Sequence, residues 1–142
     1  MALLTEDVAG QIRGAFSELK GPVRLAVFFQ TLNDPPSEHV RRLVEEITAL
    51  DSRLAVESSN FVLDEEKVRT LGIARTPAIA ILGADKDHGI RFYGLPSGYE
   101  FSTLIETILD VSRGDGEVSA ETRAALEDLQ RPVHLQVFST PT

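Results

Sequence analysis

Gly21-Pro22-Val23-Arg24-Leu25-Ala26-Val27-Phe28-Phe29 is followed, four residues later, by Asp34-Pro35-Pro36-Ser37-Glu38. The first stretch is rich in β-branched and aromatic side chains and, after Arg24, nearly unbroken in apolarity, which is the pattern of a strand buried on both faces. The second is a helix start. Asp34 can accept from the first free backbone N–H groups, and Pro35 has its φ already set for the first helical position. Val40, Leu43, Val44, Ile47 and Leu50 then fall on one face of that helix. A buried strand feeding an amphipathic helix is the opening of a right-handed parallel crossover.

Reading outward, Thr5 to Leu19 carries Val8, Ile12, Ala15, Phe16 and Leu19 at helical spacing, with an acidic first turn, and Lys20-Gly21-Pro22 stops it. Downstream, Arg53 to Phe61 predicts the second strand, and Asp64 to Gly72 a short capped helix ending in glycine. Pro77 to Leu82 predicts a third strand, and a turn over 83–89 leads by hairpin into a fourth, Ile90 to Tyr93. Tyr99 to Ser112 is again amphipathic. The expected sheet is mixed and four-stranded.

After Gly114-Asp115-Gly116, Ser119 caps a helix running to about Gln130, and the segment beyond it repeats the opening stretch. Residues 131–138, Arg-Pro-Val-His-Leu-Gln-Val-Phe, match residues 21–28 at Pro, Val, Leu, Val and Phe, an offset of 110. At the same offset Arg13, Ala15 and Leu19 fall on Arg123, Ala125 and Leu129. Helix, proline stop and buried strand thus recur as a unit, which predicts a duplication with a second strand at Val133–Phe138.

Composition sets the outer bounds. The 142 residues are 42% hydrophobic and 25% charged, the proportions of a soluble globular domain. The absence of cysteine removes disulfides, thiolate metal sites and any cysteine nucleophile. The net charge of −8 argues against nucleic acid as a partner. No membrane segment or signal peptide is evident, which points to a cytoplasmic protein.

The residues also carry a resemblance. Pro22-Val23 opening a strand, Thr76-Pro77 opening the third strand, the run Arg91-Phe92-Tyr93-Gly94-Leu95-Pro96-Ser97-Gly98-Tyr99-Glu100-Phe101, and Asp110-Val111-Ser112-Arg113 resemble the glutaredoxin-like protein disulfide oxidoreductases. Those proteins carry two thioredoxin-fold units in tandem. The resemblance implies an α/β, thioredoxin-like three-layer sandwich with a central mixed four-stranded sheet, an N-terminal helix, and a C-terminal helix and strand from a second repeat. It divides the chain at 1–114 and 115–142, the second part stopping just short of a Cys-x-x-Cys expected to follow Thr142. It also implies a cis Pro77 beside the redox helix.

In that family a Cys-x-x-Cys often occupies the position of Asp34-Pro35-Pro36-Ser37, so Asp34 and Ser37 stand where two thiols would. Exchange needs a thiolate favoured by a helix N-terminus and a second thiol to resolve the mixed disulfide. A carboxylate and a hydroxyl supply neither, so no catalytic residue is expected. One reading of Asp34 is a helix cap kept for stability, the other a group that binds a partner's donor. Thr76 and Pro77 are either structural or, with Asp34, the lining of a peptide groove. His39, His88 and His134 have no partner at metal-ligand spacing, so no metal is expected, and no cofactor either. Glu45-Glu46 and Asp64-Glu65-Glu66 read as solvated faces.

The expected role is a redox-silent unit that supports a catalytic Cys-x-x-Cys unit. Its expected partners are that second unit and, through the full-length protein, protein or peptide substrates. Segment 133–138, without a sheet of its own, is expected to pair with another chain, giving a dimer.

Overall fold

A computed structural model describes residues 2–30 and 34–140. Helix α1 spans Glu6–Phe16, strand β1 Val23–Phe29, α2 Pro35–Thr48, β2 Leu54–Asn60, α3 Glu65–Thr70, β3 Ala78–Leu82, β4 Asp87–Tyr93, α4 Tyr99–Arg113 and α5 Ala120–Glu127. The sheet order is β2-β1-β3-β4, with β1 parallel to β2 and the other pairs antiparallel. The mixed four-stranded sheet expected from the sequence is therefore present, with the apolar β1 and β3 in its centre.

Alternation along β1 divides the core in two. Val23, Leu25 and Val27 face one side with Ile79 and Ile81, where Ile12 and Phe16 of α1, Val40, Val44 and Ile47 of α2 and Leu104 and Ile108 of α4 cover them. Ala26 and Phe28 face the other side with Ala78, Ala80 and Leu82, under Val68, Leu71 and Ile73 from α3 and its exit loop. Three large helices cover one face and one short helix the other. The small alanines suit the thinner layer.

Polar side chains fix how the helices sit. Arg53 at the entry to β2 donates to the carbonyls of Phe16 (2.9 Å), the last residue of α1, and of Leu19 (2.8 Å) in the turn that follows it, where the helix has run out of its own donors. Asp51 holds the same guanidinium at 2.7 and 2.8 Å. The carboxylate of Glu46 on α2 accepts from the backbone N–H groups of Leu3 and Leu4 at 2.8 Å, and Asp64 accepts from the N–H of Asn60 at 2.6 Å. Glu46 and Asp64 are thus anchors rather than the solvated charges the sequence suggested. Isolated acids on a helix give no sign of the backbone amides that other segments bring to them.

The strand expected over Val133–Phe138 does not form. Residues 132–140 have no regular structure, α5 ends at Glu127 rather than Gln130, and every described residue from 114 to 140 is exposed. In the first copy β1 is hydrogen-bonded on both sides, by β2 and β3, whereas among the described residues no strand lies beside 133–138. A lone extended segment gains no ladder hydrogen bonds.

Candidate functional site

The site is assembled at one end of the sheet. β1 runs out at Phe29 and α2 begins after Asp34, while Phe28 pairs with Ala78, the residue that follows Pro77. The helix start and the Thr76-Pro77 pair therefore lie at the same end of the sheet, beyond the C-terminal end of β1, where open α/β sheets place their clefts. Residues 31–33, between strand and helix, lie outside the described residues.

Asp34 caps α2 as its sequence suggests. Its side chain accepts from the N–H of Ser37 at 3.5 Å and from the Ser37 hydroxyl, and Pro35 and Pro36 form the first turn. Ser37 is 1% exposed, so Asp34 also satisfies a buried hydroxyl. An open cleft of about 300 Å³ is lined by Phe29, Gln30, Asp34, Ser37, Glu38 and Arg41. Arg41 donates to Glu38 (2.7 and 3.1 Å) and to Glu45. The hydrogen bond from Arg41 holds the Glu38 carboxyl below its ordinary range. The cleft's cation is therefore neutralised from within.

On the facing loop the Thr76–Pro77 peptide bond is cis, and the Pro77 carbonyl accepts from the N–H of Gly94 at 2.9 Å. The N–H and C=O of Thr76 have no partner among the described residues. A cis proline opens the antiparallel half of a β2-β1-β3-β4 sheet, beside the helix that follows its central parallel strand. The chain is thioredoxin-like.

Comparison with known proteins agrees with that assignment. No family model matches the chain. Among curated proteins, it is 26% identical over 136 residues to the NADH dehydrogenase of Ferdinandcohnia aciditolerans, covering 96% of this chain and 24% of that protein. It is 23% identical over 143 residues to a Staphylococcus epidermidis subunit of alkyl hydroperoxide reductase, covering 99% of this chain and 25% of that protein. The chain thus spans about a quarter of the length of these relatives. Among solved structures, the alkylhydroperoxide reductase AhpF of Enterococcus faecalis superposes with a TM-score of 0.80 at 25% identity, over 89% of this chain and 61% of that one. A protein disulfide oxidoreductase of Aeropyrum pernix superposes with a TM-score of 0.78 at 24% identity, over 91% and 56%. Both structures match the thioredoxin-like fold that the motif resemblance implies.

In the thioredoxin-like unit, Asp34 and Ser37 are brought together at the helix start, and Thr76 and Pro77 stand at the same end of the sheet. His39, His88 and His134 are dispersed on the surface, and among the described residues no cluster of His, Cys, Asp or Glu could hold a metal. No helix of the described residues is long and apolar enough to cross a membrane. The site can donate and accept hydrogen bonds, and it holds no thiol. One neighbour is not foreshadowed by the local sequence. Arg75 lies over the ring of Tyr93, its guanidinium carbon 4.4 Å from the centroid, and the Tyr93 hydroxyl accepts from the N–H of Ala74 at 3.1 Å. The signal was the Ala78–Tyr93 pairing, which a third and fourth strand joined by a hairpin would have suggested.

Proposed function

We propose that this thioredoxin-like chain acts as the redox-silent first unit of a tandem pair, holding in place a dithiol unit that follows it, in a protein of the disulfide oxidoreductase kind. Asp34 and Ser37 at the redox-helix start carry the reading. The fold of a disulfide-exchanging unit is retained around a carboxylate and a hydroxyl that cannot exchange disulfides. Similarity to the alkyl hydroperoxide reductases supports a place within a longer reductase. The repeat of residues 21–28 at 131–138 supports a division near Gly114, where α4 ends in a left-handed glycine (φ 75°).

The test joins this chain to a Cys-x-x-Cys thioredoxin-like unit placed after Thr142. Insulin reduction should depend wholly on the added thiols and fall several-fold when residues 2–114 are removed. Unchanged activity after that removal would overturn the supporting role, and turnover by the 142-residue chain alone would overturn redox silence.

A second reading is favoured by one observation, that the backbone of Thr76 has no partner among the described residues. An extended peptide could pair with it by strand addition, making the unit a docking module without redox chemistry. Amide shifts at Thr76 and around Pro77 on adding a cysteine-blocked peptide separate the two readings, since a pure scaffold stays silent there.

A further inference from the structure

We propose that Arg75 sets a preference for acidic side chains in an extended polypeptide segment docked on Thr76. The inference rests on the peptide-docking reading and adds the chemistry of the segment.

Three observations carry it. The Arg75 guanidinium is held rather than free, stacked over Tyr93 at 4.4 Å. The ring is itself fixed by the hydrogen bond from Ala74 and by the pairing of Tyr93 with Ala78 in the sheet. Second, Arg75 is exposed and has no carboxylate partner among the described residues. By contrast Arg41, Arg53, Arg91 and Arg113 each rest on one or two acids. Arg69 and Arg131 are also without an acid partner among the described residues; what sets Arg75 apart is that its charge is held on Tyr93 next to the backbone of Thr76. Third, the N–H and C=O of the adjacent Thr76 have no partner among the described residues, while the Pro77 carbonyl that follows is taken by Gly94.

These features make one surface. A strand that pairs with Thr76 advances about 3.3 Å per residue, so a side chain one or two positions from the paired residue passes the guanidinium. Stacking leaves the edge of the guanidinium plane open, and its N–H groups can meet a carboxylate two at a time. Charge over the rest of the chain repels an acidic segment at long range, so the preference is local and of the size of an exposed ion pair, roughly two- to five-fold in affinity.

The experiment compares two short cysteine-free peptides that are identical except for Glu or Gln at the positions flanking the centre. Each is titrated into the 142-residue protein and followed at the Thr76 amide and the Arg75 side-chain N–H by two-dimensional NMR. The Glu peptide should bind about three-fold more tightly, and in Arg75→Gln the ratio of the two peptides' affinities should fall to about one. Arg75→Lys should keep part of the advantage. In about 1 M salt, where the Debye length is about 3 Å, the two peptides should converge. Equal affinities in the parent protein, or an undiminished Glu preference in Arg75→Gln, would overturn the role of Arg75 and leave the groove standing. No shift at Thr76 with either peptide would remove the groove, and the inference with it.

Discussion

At the scale of residues, Asp51 is the most strongly displaced acid. Hydrogen bonds from the Arg53 side chain and then from its backbone N–H hold the carboxyl well below its ordinary range, at about 2. A folded-state value below the unfolded one means that the ionised form is favoured by folding. The contribution is fully present above about pH 4 and is lost as pH falls towards 2. Asp51→Asn should therefore lower the melting temperature at pH 6 and leave it near the parent's at pH 2, as thermal scans at the two pH values would read. Asp34 gives a second prediction. Asp34→Ala removes the cap of α2 and the acceptor of a buried hydroxyl, and should cost about 1–3 kcal/mol in urea unfolding. Ser37→Ala removes only the buried donor and should cost less.

At the scale of elements, the two copies of one motif have opposite fates. Leu25 is fully buried in β1, whereas Leu135, its counterpart at the offset of 110, is 85% exposed. Leu25→Ala should cost about 2–5 kcal/mol and Leu135→Ala less than about 0.5 kcal/mol, measured as a pair in denaturant. The same contrast explains what the sequence disclosed. β1, β3, α2 and α4 were legible because their apolar spacing matches the faces they bury. The second strand at 133–138 carries the same local pattern and does not form, since a strand is a property of its neighbours as well as of its own residues. At the site, the Asp34 cap and Thr76-Pro77 could be read from local rules. Arg75 on Tyr93, Glu46 on the N–H groups of Leu3 and Leu4, and Arg53 on α1 depend on contacts 18 to 43 residues apart, which no local rule supplies.

At the scale of the whole molecule, the described residues form a closed core of two unequal layers and an exposed arm. Val133, Leu135, Val137 and Phe138 are 63–91% exposed, and their sequence is close to that of β1, which pairs with β2 along seven residues. As a proposal, the 142-residue chain dimerises through this arm. Sedimentation velocity should show association that deepens with concentration and disappears in Val137→Lys and in a chain ending at Gln130. Monomers at all concentrations would argue against it.

The grip of Arg53 on the end of α1 has a consequence for the order of events during synthesis. α1 is synthesised well before the group that holds its C-terminal end: the guanidinium on the carbonyls of Phe16 and Leu19 is 37 and 34 residues further along. A nascent chain halted before Arg53 has the apolar face of α1 and the Glu46 grip on Leu3 and Leu4 to hold it in place, and nothing from Arg53 on its C-terminal end. Docking of the first helix is thus completed by the first residues of β2, and premature chains should leave α1 open to proteases that the finished fold resists.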